Sequence, residues 1–337
     1  MTWQDFDAWS ERSVHGFADQ QVAAGLTSAP AALRYAREQL AAQLPDGLAT
    51  PGHRLWMVHL ADEGPPTSGP PNPLPSDPRH HPGVAAADRP APAVGALWLR
   101  VRPTRDGVEA TVLDIEVAEA LRGRGLGRAT MLAAMRAAAD LGASVVRLTV
   151  FGHNQAALSL YRGLGFAVER ALLSRDLRAA PGQHPGATGL TMTPLGEADQ
   201  ARLRHAAGNR RPGPPASGPA DHCWSAWDGA RQVGWLRLQV DRAGEALGDD
   251  ERRVGIVDLQ VLPDVRGRGH GRALVRVAEQ EARALGAATL TVTLTGGDTT
   301  LRGFYERSAF VLTAQLMSRP VAGTPAEPRS PSTWPSG

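Results

Sequence analysis

The spacing of apolar residues predicts a mixed order of helices and strands in the first half of the chain. Two helices are expected at 3–23 and 29–43, the second with an apolar stripe of Leu33, Ala36, Leu40 and Leu44. Pro45-Asp46-Gly47 ends this helix. Strands are then expected at 54–60, 94–101, 108–117, 145–150 and 171–177, and helices at 127–141 and 156–164. In helix 127–141, we expect Leu132, Met135 and Ala139 to share the apolar face.

The second half repeats this order with changes. Strands are predicted at 189–195, 222–228, 232–240, 253–261 and 288–294. One helix is predicted at 197–207, and a second helix is predicted to end at Leu285. A proline-glycine loop at 208–220 stands where the first half has its second helix. Residues 64–92 contain ten prolines, so a disordered insertion is expected there. We therefore expect a first domain at 1–178, a second at 188–320 and a disordered tail at 321–337.

A glycine-arginine loop follows an apolar strand twice. In the first copy, Asp114-Ile115-Glu116-Val117 leads to Arg122-Gly123-Arg124-Gly125-Leu126-Gly127-Arg128. In the second, Asp258-Leu259-Gln260-Val261 leads to Arg266-Gly267-Arg268-Gly269-His270-Gly271-Arg272. The copies lie 144 residues apart, and this offset holds without a gap as far as Phe166 and Phe310. The chain therefore contains an internal duplication centred on this loop.

The residue types in the loop favour anion binding. Glycines permit positive φ and let backbone N–H groups close around a ligand, and a helix N-terminus adds unpaired donors and partial positive charge. Arginine supplies permanently charged, bidentate contacts to phosphate oxygens. A strand-to-helix turn with solvated arginines, or an RNA contact of the RGG kind, are the alternatives. The duplicated context favours a phosphate or pyrophosphate site.

Composition narrows the functional class. The chain has 337 residues and a formal net charge of only +2, which disfavours a nucleic-acid-binding or membrane-binding protein. Every basic residue is an arginine. The single cysteine, Cys223, excludes a disulfide framework and is expected to be a strand residue rather than a nucleophile. Since no signal peptide or long apolar run is found, a cytoplasmic protein is expected.

The motifs resemble those of the GNAT superfamily of acyl-CoA-dependent N-acetyltransferases. Arg-x-x-Gly-x-Gly after an Ile-x-Val strand is similar to that family's cofactor loop, and Asn154-x-x-Ala157-x-x-Leu160-Tyr161-x-x-x-Gly165-Phe166 is similar to its second signature. Together they cover about fifty residues of the first half. The resemblance implies an α/β (α+β) protein with two tandem GNAT folds, each a central mixed, mostly antiparallel splayed sheet flanked by helices. The tandem layout also resembles that of mycothiol synthases.

The resemblance implies roles for individual residues. Backbone groups of Ile115 and Val117 are expected to pair with pantetheine. The CoA pyrophosphate is expected on the first loop, and Asn154 and Tyr161 are also expected at the cofactor. In the second half, cofactor contacts are expected from Val261, Arg266, Gly267, Arg268, Gly269 and Gly271. Tyr161 is further expected to protonate the leaving thiolate as a general acid, with an aromatic packing role as the alternative.

The general base for an amine nucleophile stays open among three residues. Asp114 and Glu116 point to the same side of their strand unless a bulge intervenes. Asp114 recurs as Asp258, which suggests a structural role, whereas Glu116 becomes Gln260 and is slightly favoured. His153, beside Asn154, is the third candidate. Asp114, Glu116 and Tyr161 are accordingly the expected catalytic residues.

The second half departs from the family pattern. Asp298 replaces Asn154, Leu301 replaces Ala157 and Ala309 replaces Gly165, so we expect CoA binding without efficient turnover there. The expected function is transfer of an acetyl group from acetyl-CoA to the primary amine of a small molecule, by direct transfer in the first half. A CoA sensor or scaffold, and a protein N-terminal acetyltransferase, are the alternatives. The resemblance implies no metal ion, and a monomer or homodimer that binds neither nucleic acid nor membrane.

Overall fold

The computed structural model describes residues 1–60, 93–178, 189–196, 221–241 and 252–321. The predicted insertion, the helix at 197–207, the loop at 208–220 and the tail beyond Val321 lie outside these residues. Elsewhere helices and strands follow the predicted order. The strand expected at 94–101 continues to Thr104 and is therefore longer than predicted. We call residues 1–178 the first repeat and residues 189–321 the second.

The first repeat contains helices and strands in the order expected. The helices are α1 (Trp3–Ala23), α2 (Ala29–Gln43), α3 (Leu126–Asp140) and α4 (Gln155–Gly163). The strands are β1 (His53–His59), β2 (Ala93–Thr104), β3 (Gly107–Val117), β4 (Ala143–Phe151) and β5 (Ala167–Asp176).

The second repeat follows the same order from its first described strand. Its strands are β6 (Thr191–Pro194), β7 (Asp221–Asp228), β8 (Arg231–Asp241), β9 (Arg252–Val261), β10 (Ala287–Thr295) and β11 (Val311–Pro320). Its described helices are α5 (His270–Ala284) and α6 (Thr299–Glu306). Cys223 lies on β7, as its predicted strand position requires.

The described residues divide into two compact units that do not coincide with the repeats. The first unit contains residues from 1–9, 46–146 and 321, and the second contains residues from 10–45 and 147–320. The division therefore falls within α1 and within β4. The second unit includes α4 and β5 of the first repeat together with the second repeat.

In the first unit, β1, β2 and β3 form antiparallel ladders. Trp98 of β2 lies opposite Leu55 on one side and Asp114 on the other. Between Val112 and Asp114 the register shifts, which makes Leu113 an extra residue in β3. The buried Trp98 donates its indole N–H to Nδ1 of His53 at 2.9 Å. Burial, together with Arg100, lowers the pKa of His53 and favours its neutral, hydrogen-bond-accepting form.

The second unit contains a sheet in the order β11-β5-β10-β9-β8-β7-β6. The β10–β9 pair is parallel and the other ladders are antiparallel, so the predicted mixed, mostly antiparallel character is confirmed. The β9–β10 ladder ends where Ile256 faces Val292. Beyond that point the described residues of β9 no longer pair with β10, and this separation of the two strands is the predicted splay.

Strand β5 of the first repeat lies between two strands of the second repeat. Leu173, which is fully buried, faces Val292 of β10 on one side and Leu312 of β11 on the other. Ser174 Oγ and Thr313 Oγ1, both buried, are 2.7 Å apart. A parallel or antiparallel strand in this position satisfies backbone donors and acceptors on both neighbours. The second repeat therefore completes its sheet with a strand of the first.

An ion pair stabilises β5 in its position between β10 and β11. Arg175 of β5 lies 2.9 Å from the Glu279 carboxylate of α5, and Arg283 lies 3.8 Å from the same side chain. Burial raises the pKa of Glu279, while the two arginines act in the opposite direction. Arg283 also donates to the carbonyl of Leu177 at 3.2 Å. The C-terminal end of β5 is thus bound to α5 by charged hydrogen bonds.

Helix α3 buries a different face from the one predicted. The buried residues are Thr130, Met131, Ala134 and Ala138, whereas Ala139 is exposed and Leu132 and Met135 are half-buried. The prediction was wrong because alanine, leucine and methionine occur on every side of this helix. Apolar periodicity alone therefore cannot select the face that packs on the sheet.

The exchange of β5 predicts that the second repeat will not fold by itself. Residues 189–337 expressed alone should aggregate, because β10 and β11 each lose β5 as a neighbour and expose an unpaired strand edge. A chain with a protease site inserted in 179–188 serves as the control. After cleavage its two fragments should coelute on gel filtration. A monodisperse 189–337 fragment with a cooperative thermal transition would show that β10 and β11 can pair without β5.

The ends of α4 and α6 provide a second prediction, on stability. Gly165 has φ of +80°, and Ala309 at the equivalent position has φ of +60°. A side chain costs about 1–2 kcal/mol in this left-handed conformation. Ala309→Gly should therefore raise the free energy of unfolding by about 0.5–1 kcal/mol, after the entropy that glycine adds to the unfolded chain is subtracted. Gly165→Ala, the matched reverse change, should lower it. Urea unfolding measures both, and equal stability of all three proteins would contradict the argument.

Candidate functional site

The carboxylates before the two loops are bound in the same way. Asp114 Oδ2 accepts the indole N–H of Trp9 at 3.1 Å, and Asp258 Oδ2 accepts that of Trp235 at 2.8 Å. Trp9 comes from α1, whereas Trp235 comes from the neighbouring strand β8. Each aspartate follows an extra residue in its strand, Leu113 in β3 and Val257 in β9. The bulge and its aspartate are thus duplicated together, which supports the structural role inferred from the recurrence.

The strand beside each bulge requires a glycine. A Cβ on Gly95 would lie 2.1 Å from the carbonyl oxygen of Glu116, and one on Gly234 would lie 2.0 Å from that of Gln260. Neither distance is possible for a real side chain, so the backbones can approach only with glycine in place. Neither glycine is among the residues predicted from the sequence. A repeated Val-Gly-x-Leu pattern at Val94 and Val233 was the signal, but it lies outside the ungapped 144-residue offset.

The first arginine of each loop is bound to the strand that precedes it. Arg122 Nε donates to the carbonyl of Val117 at 3.2 Å, and Arg266 Nε donates to that of Val261 at 3.1 Å. The two Nη groups of each guanidinium face away from this bond and keep further donors. These two arginines therefore also hold the loop against its strand, in addition to their predicted phosphate-binding role.

The loop glycines adopt the conformation that the sequence predicts. Gly123, Gly125, Gly267 and Gly269 have φ between +77° and +89°, and an added Cβ would meet nothing within 4 Å. Gly125 and Gly269 are the N-cap residues of α3 and α5. Leu126, Gly127 and Arg128 form the first turn of α3, where backbone N–H groups lack intrahelical acceptors. Arg124, Arg128 and Arg268 are exposed.

Each loop combines left-handed glycines, a helix N-terminus and exposed arginines. These are features that a multiply charged anion such as a pyrophosphate would use. In the second loop, His270 replaces Leu126, and its Nε2 lies 4.0 Å from a carboxylate oxygen of Asp228. Both loops therefore keep the anion-binding features, with a different side chain at one position.

The second signature of the first repeat lies on α4 in the second compact unit. Asn154 is the N-cap residue, and its Oδ1 accepts the N–H of Ala157 at 3.1 Å. Tyr161 is 6% exposed and lies 5.9 Å from Phe166, centroid to centroid. Gly165 follows in the left-handed conformation. Asn154 thus has a helix-capping role in addition to its predicted place at the cofactor.

The second repeat builds the same turn from other residues. Asp298 caps α6 and accepts the N–H of Leu301 at 2.8 Å, so the exchange of Asn154 for Asp298 preserves the cap. Tyr305 is buried, and its ring centroid lies 5.3 Å from that of Phe310. Burial, and secondarily the charge of Asp258, raises the pKa of Tyr305 well above its usual range. A Cβ on Gly271 would lie 3.4 Å from Phe304, so α6 packs directly against the loop helix.

The three predicted bases lie in different environments. Asp114 is bound to Trp9, as described above. Glu116 is half-buried on the same face of β3, because the bulge precedes both residues and leaves their alternation intact. His153 follows β4, and its Nε2 lies 2.8 Å from Oε1 of Gln20 on α1. Gln20 was missed in the sequence, because nothing local connects it to a residue so distant in the chain.

No helix among the described residues is both long and apolar enough to cross a membrane. Comparison with known proteins identifies relatives of about half the length of this chain. The uncharacterized N-acetyltransferases YycN and YdgE of Bacillus subtilis (strain 168) are 26% and 25% identical over 177 residues, which is 52% of this chain and 96% and 95% of theirs.

Solved structures of the same kind are also similar. A GCN5-related N-acetyltransferase from Sphaerobacter thermophilus is 18% identical, with a TM-score of 0.41 over 68% of this chain and 77% of its own. A tandem GNAT protein from the clavulanic acid biosynthesis pathway is 14% identical, with a TM-score of 0.37 over 69% of this chain and 80% of its own.

The model of the Acetyltransferase (GNAT) family matches the chain twice, at residues 56–166 and 192–310. Each match contains one glycine-arginine loop and one tyrosine-bearing helix, and together they span more than half of the sequence. The tandem arrangement that the duplicated motifs predict is thereby confirmed, and the chain belongs to the GNAT acetyltransferase family.

Proposed function

We propose that this acetyltransferase moves an acetyl group from acetyl-CoA to the primary amine of a small molecule, directly and in the first repeat. The observation that carries the proposal is the loop at 122–128. Its two left-handed glycines open into the N-terminus of α3 beside exposed arginines. Acetyl-CoA supplies the activated thioester, and the residues of the chain bind it, orient it and move protons.

The first loop is the proposed site of the CoA pyrophosphate. Backbone N–H groups of Gly123, Gly125, Leu126 and Gly127 and the guanidinium groups of Arg122, Arg124 and Arg128 are its proposed donors. Ile115 and Val117 are the proposed partners of pantetheine, with their backbone groups acting as a strand edge. A backbone N–H near Val117 would then stabilise negative charge on the thioester oxygen.

Tyr161 is the proposed general acid. A phenol can donate its proton to the thiolate as it leaves, which is the step that a general acid supplies. Tyr161 is 6% exposed. For the proton of the amine, Glu116 and His153 are the competing acceptors. Asp114 is better explained as the anchor of Trp9, because Asp258 repeats the same bond in the second repeat.

The second repeat is proposed to bind CoA without efficient turnover. Its loop residues Val261, Arg266, Gly267, Arg268, Gly269 and Gly271 keep the arrangement of the first loop. What differs is the neighbourhood of α6, where Asp298 and Ala309 replace Asn154 and Gly165, and the position of Glu116, where Gln260 has no charge. The loop and Tyr305, the counterpart of Tyr161, are thus retained, whereas the carboxylate of Glu116 and the amide of Asn154 are not.

The proposed function is tested by thiol release. The protein is incubated with acetyl-CoA and a panel of small primary amines, and free CoA is measured with a thiol reagent. A peptide with a free α-amino group and an RNA oligonucleotide are included for comparison. Release that depends on a small amine supports the proposal. Release only with the peptide would identify a protein N-terminal acetyltransferase, and tight CoA binding without release would identify a sensor.

Substitution of the loop glycines distinguishes the repeats. Gly125→Glu should abolish thiol release, because a carboxylate enters the anion site of the first repeat. Gly269→Glu, the matched change in the second repeat, should retain most of the release. Steady-state rates with the best amine of the panel measure both.

Gly125→Ala is the control for backbone strain. It forces a side chain into the left-handed conformation, at a cost of about 1–2 kcal/mol, without adding charge. Gly125→Ala should therefore keep more activity than Gly125→Glu. Equal losses from Gly125→Glu and Gly269→Glu would mean that the first repeat has been wrongly chosen as the active one.

Removal of the Tyr161 hydroxyl tests the general acid. Tyr161→Phe should lower kcat by roughly 10²–10⁴-fold with little change in the Kd for CoA, because the ring that packs on Phe166 is preserved. Calorimetric titration with CoA and single-turnover kinetics provide the two measurements. Tyr305→Phe is the matched control and should leave kcat close to that of the unmodified protein. A kcat near the unmodified value in Tyr161→Phe would leave Tyr161 with a packing role alone.

A further inference from the structure

His153 occupies a built position at the end of β4. It directly precedes Asn154, the N-cap of the helix that carries Tyr161. Its ring stacks on Phe151 with 5.9 Å between centroids and 26° between planes, and its Nε2 lies 2.8 Å from Oε1 of Gln20. The side chain is nevertheless exposed, so a ligand can reach it. A solvated loop histidine would have neither of these two restraints.

The contact with Gln20 fits one tautomer of the imidazole. This is the tautomer in which Nε2 of His153 carries the proton, because an amide oxygen can only accept a hydrogen bond. In the neutral ring the other nitrogen, Nδ1, then has the lone pair and is the proton acceptor. Stacking on Phe151 holds the ring plane, and therefore the direction of that lone pair. The arrangement prepares a base with a defined direction.

The surroundings of the ring favour a neutral amine. Phe17 lies three residues before Gln20 on α1, on the same side of the helix, and is 40% exposed. Its ring centroid lies 6.1 Å from Phe151 and 6.4 Å from Tyr35 of α2. Apolar neighbours disfavour the charged form of an ammonium group, which loses hydration there. An amine that is desolvated against these rings would therefore release a proton more readily than in water.

The second repeat lacks the arrangement at the equivalent positions. Thr295 stands in place of Phe151, and Gly297 in place of His153. The tyrosine and the glycine-arginine loop recur, but the imidazole does not. The imidazole of His153 is thus confined to the first repeat, as are Asn154, Gly165 and Glu116.

We propose that His153 accepts the proton of the acceptor amine in the first repeat and that Gln20 is its positioning residue. The proposal rests on the proposed acetyl transfer. The amine nitrogen forms a bond to the thioester carbon as the carbon–sulfur bond breaks. Nδ1 of His153 takes one N–H proton, and the departing thiolate takes a proton from Tyr161. The products are an amide and free CoA, and the imidazolium and the phenolate exchange a proton through solvent.

His153→Gly tests the base, because it installs the residue of the second repeat. It should lower kcat by about 10²–10³-fold with little change in the KM for acetyl-CoA, and added imidazole should restore part of the rate. His153→Asn is the second variant, and imidazole should restore it less, since less space is left beside Phe151. His15→Asn, which changes an exposed histidine of α1, is the control and should be fully active.

Gln20 is tested through the tautomer of His153. Gln20→Leu should lower kcat about 10–100-fold, the usual effect of losing a residue that orients a functional imidazole, and Gln20→Glu should restore activity because it again supplies an acceptor. Nitrogen-15 NMR of the unmodified protein, with His153 assigned by its loss in His153→Asn, should show Nε2 protonated. The same resonances in Gln20→Leu should show a mixture of tautomers.

Three outcomes would overturn the proposal. Full activity of His153→Gly in a protein that releases thiol would exclude His153 as the base while leaving the proposed function intact. Loss of activity that imidazole does not restore, together with a larger kcat loss in Glu116→Gln, would identify Glu116 instead. Absence of amine-dependent thiol release in the unmodified protein would remove the proposed function itself, and the NMR result would then stand only as a structural fact.

Discussion

The structure depends most on the backbone hydrogen bonds that β5 makes on both of its edges. This strand of the first repeat pairs with the backbone donors and acceptors of β10 and β11 in the second repeat. The sheet of the second repeat therefore contains a strand that its own sequence does not supply. The ion pairs of Glu279 with Arg175 and Arg283 stabilise this strand at its end. Because the last strand of the first repeat is an inner strand in the sheet of the second, the second repeat depends on the first to complete its sheet.

Around that sheet, the repeats solve the same local problem with different residues. Each needs an extra residue in the strand before the loop, a glycine on the neighbouring strand and a donor for the aspartate after the bulge. The bulge and the glycine recur unchanged. The donor does not, since Trp9 comes from α1 and Trp235 from β8. A half-buried carboxylate is stabilised by a hydrogen-bond donor, and that donor can come from any element that reaches it.

Local features of this protein could be predicted from its sequence, and distant pairings could not. The bounds of α1 and α2 and the left-handed glycines of both loops follow from capping, periodicity and steric rules that act over a few residues. The exchange of β5 leaves no such trace, because Leu173 looks the same in a sequence whichever strand it faces. The contact between Gln20 and His153 is equally invisible, and the buried face of α3 is ambiguous where alanine surrounds the helix.

The second repeat also acts as an internal control for the first. It has a tyrosine-bearing helix, a capped helix N-terminus and a glycine-arginine loop, so the residues that the two repeats share accompany the same local backbone geometry in both. The bond from Arg266 to Val261 shows that even a loop arginine can be retained for geometry. Residues confined to the first repeat have no such explanation, because the second repeat reaches the same geometry without them. Glu116 and His153 are such residues. The reason for their presence is therefore to be sought in chemistry rather than in folding.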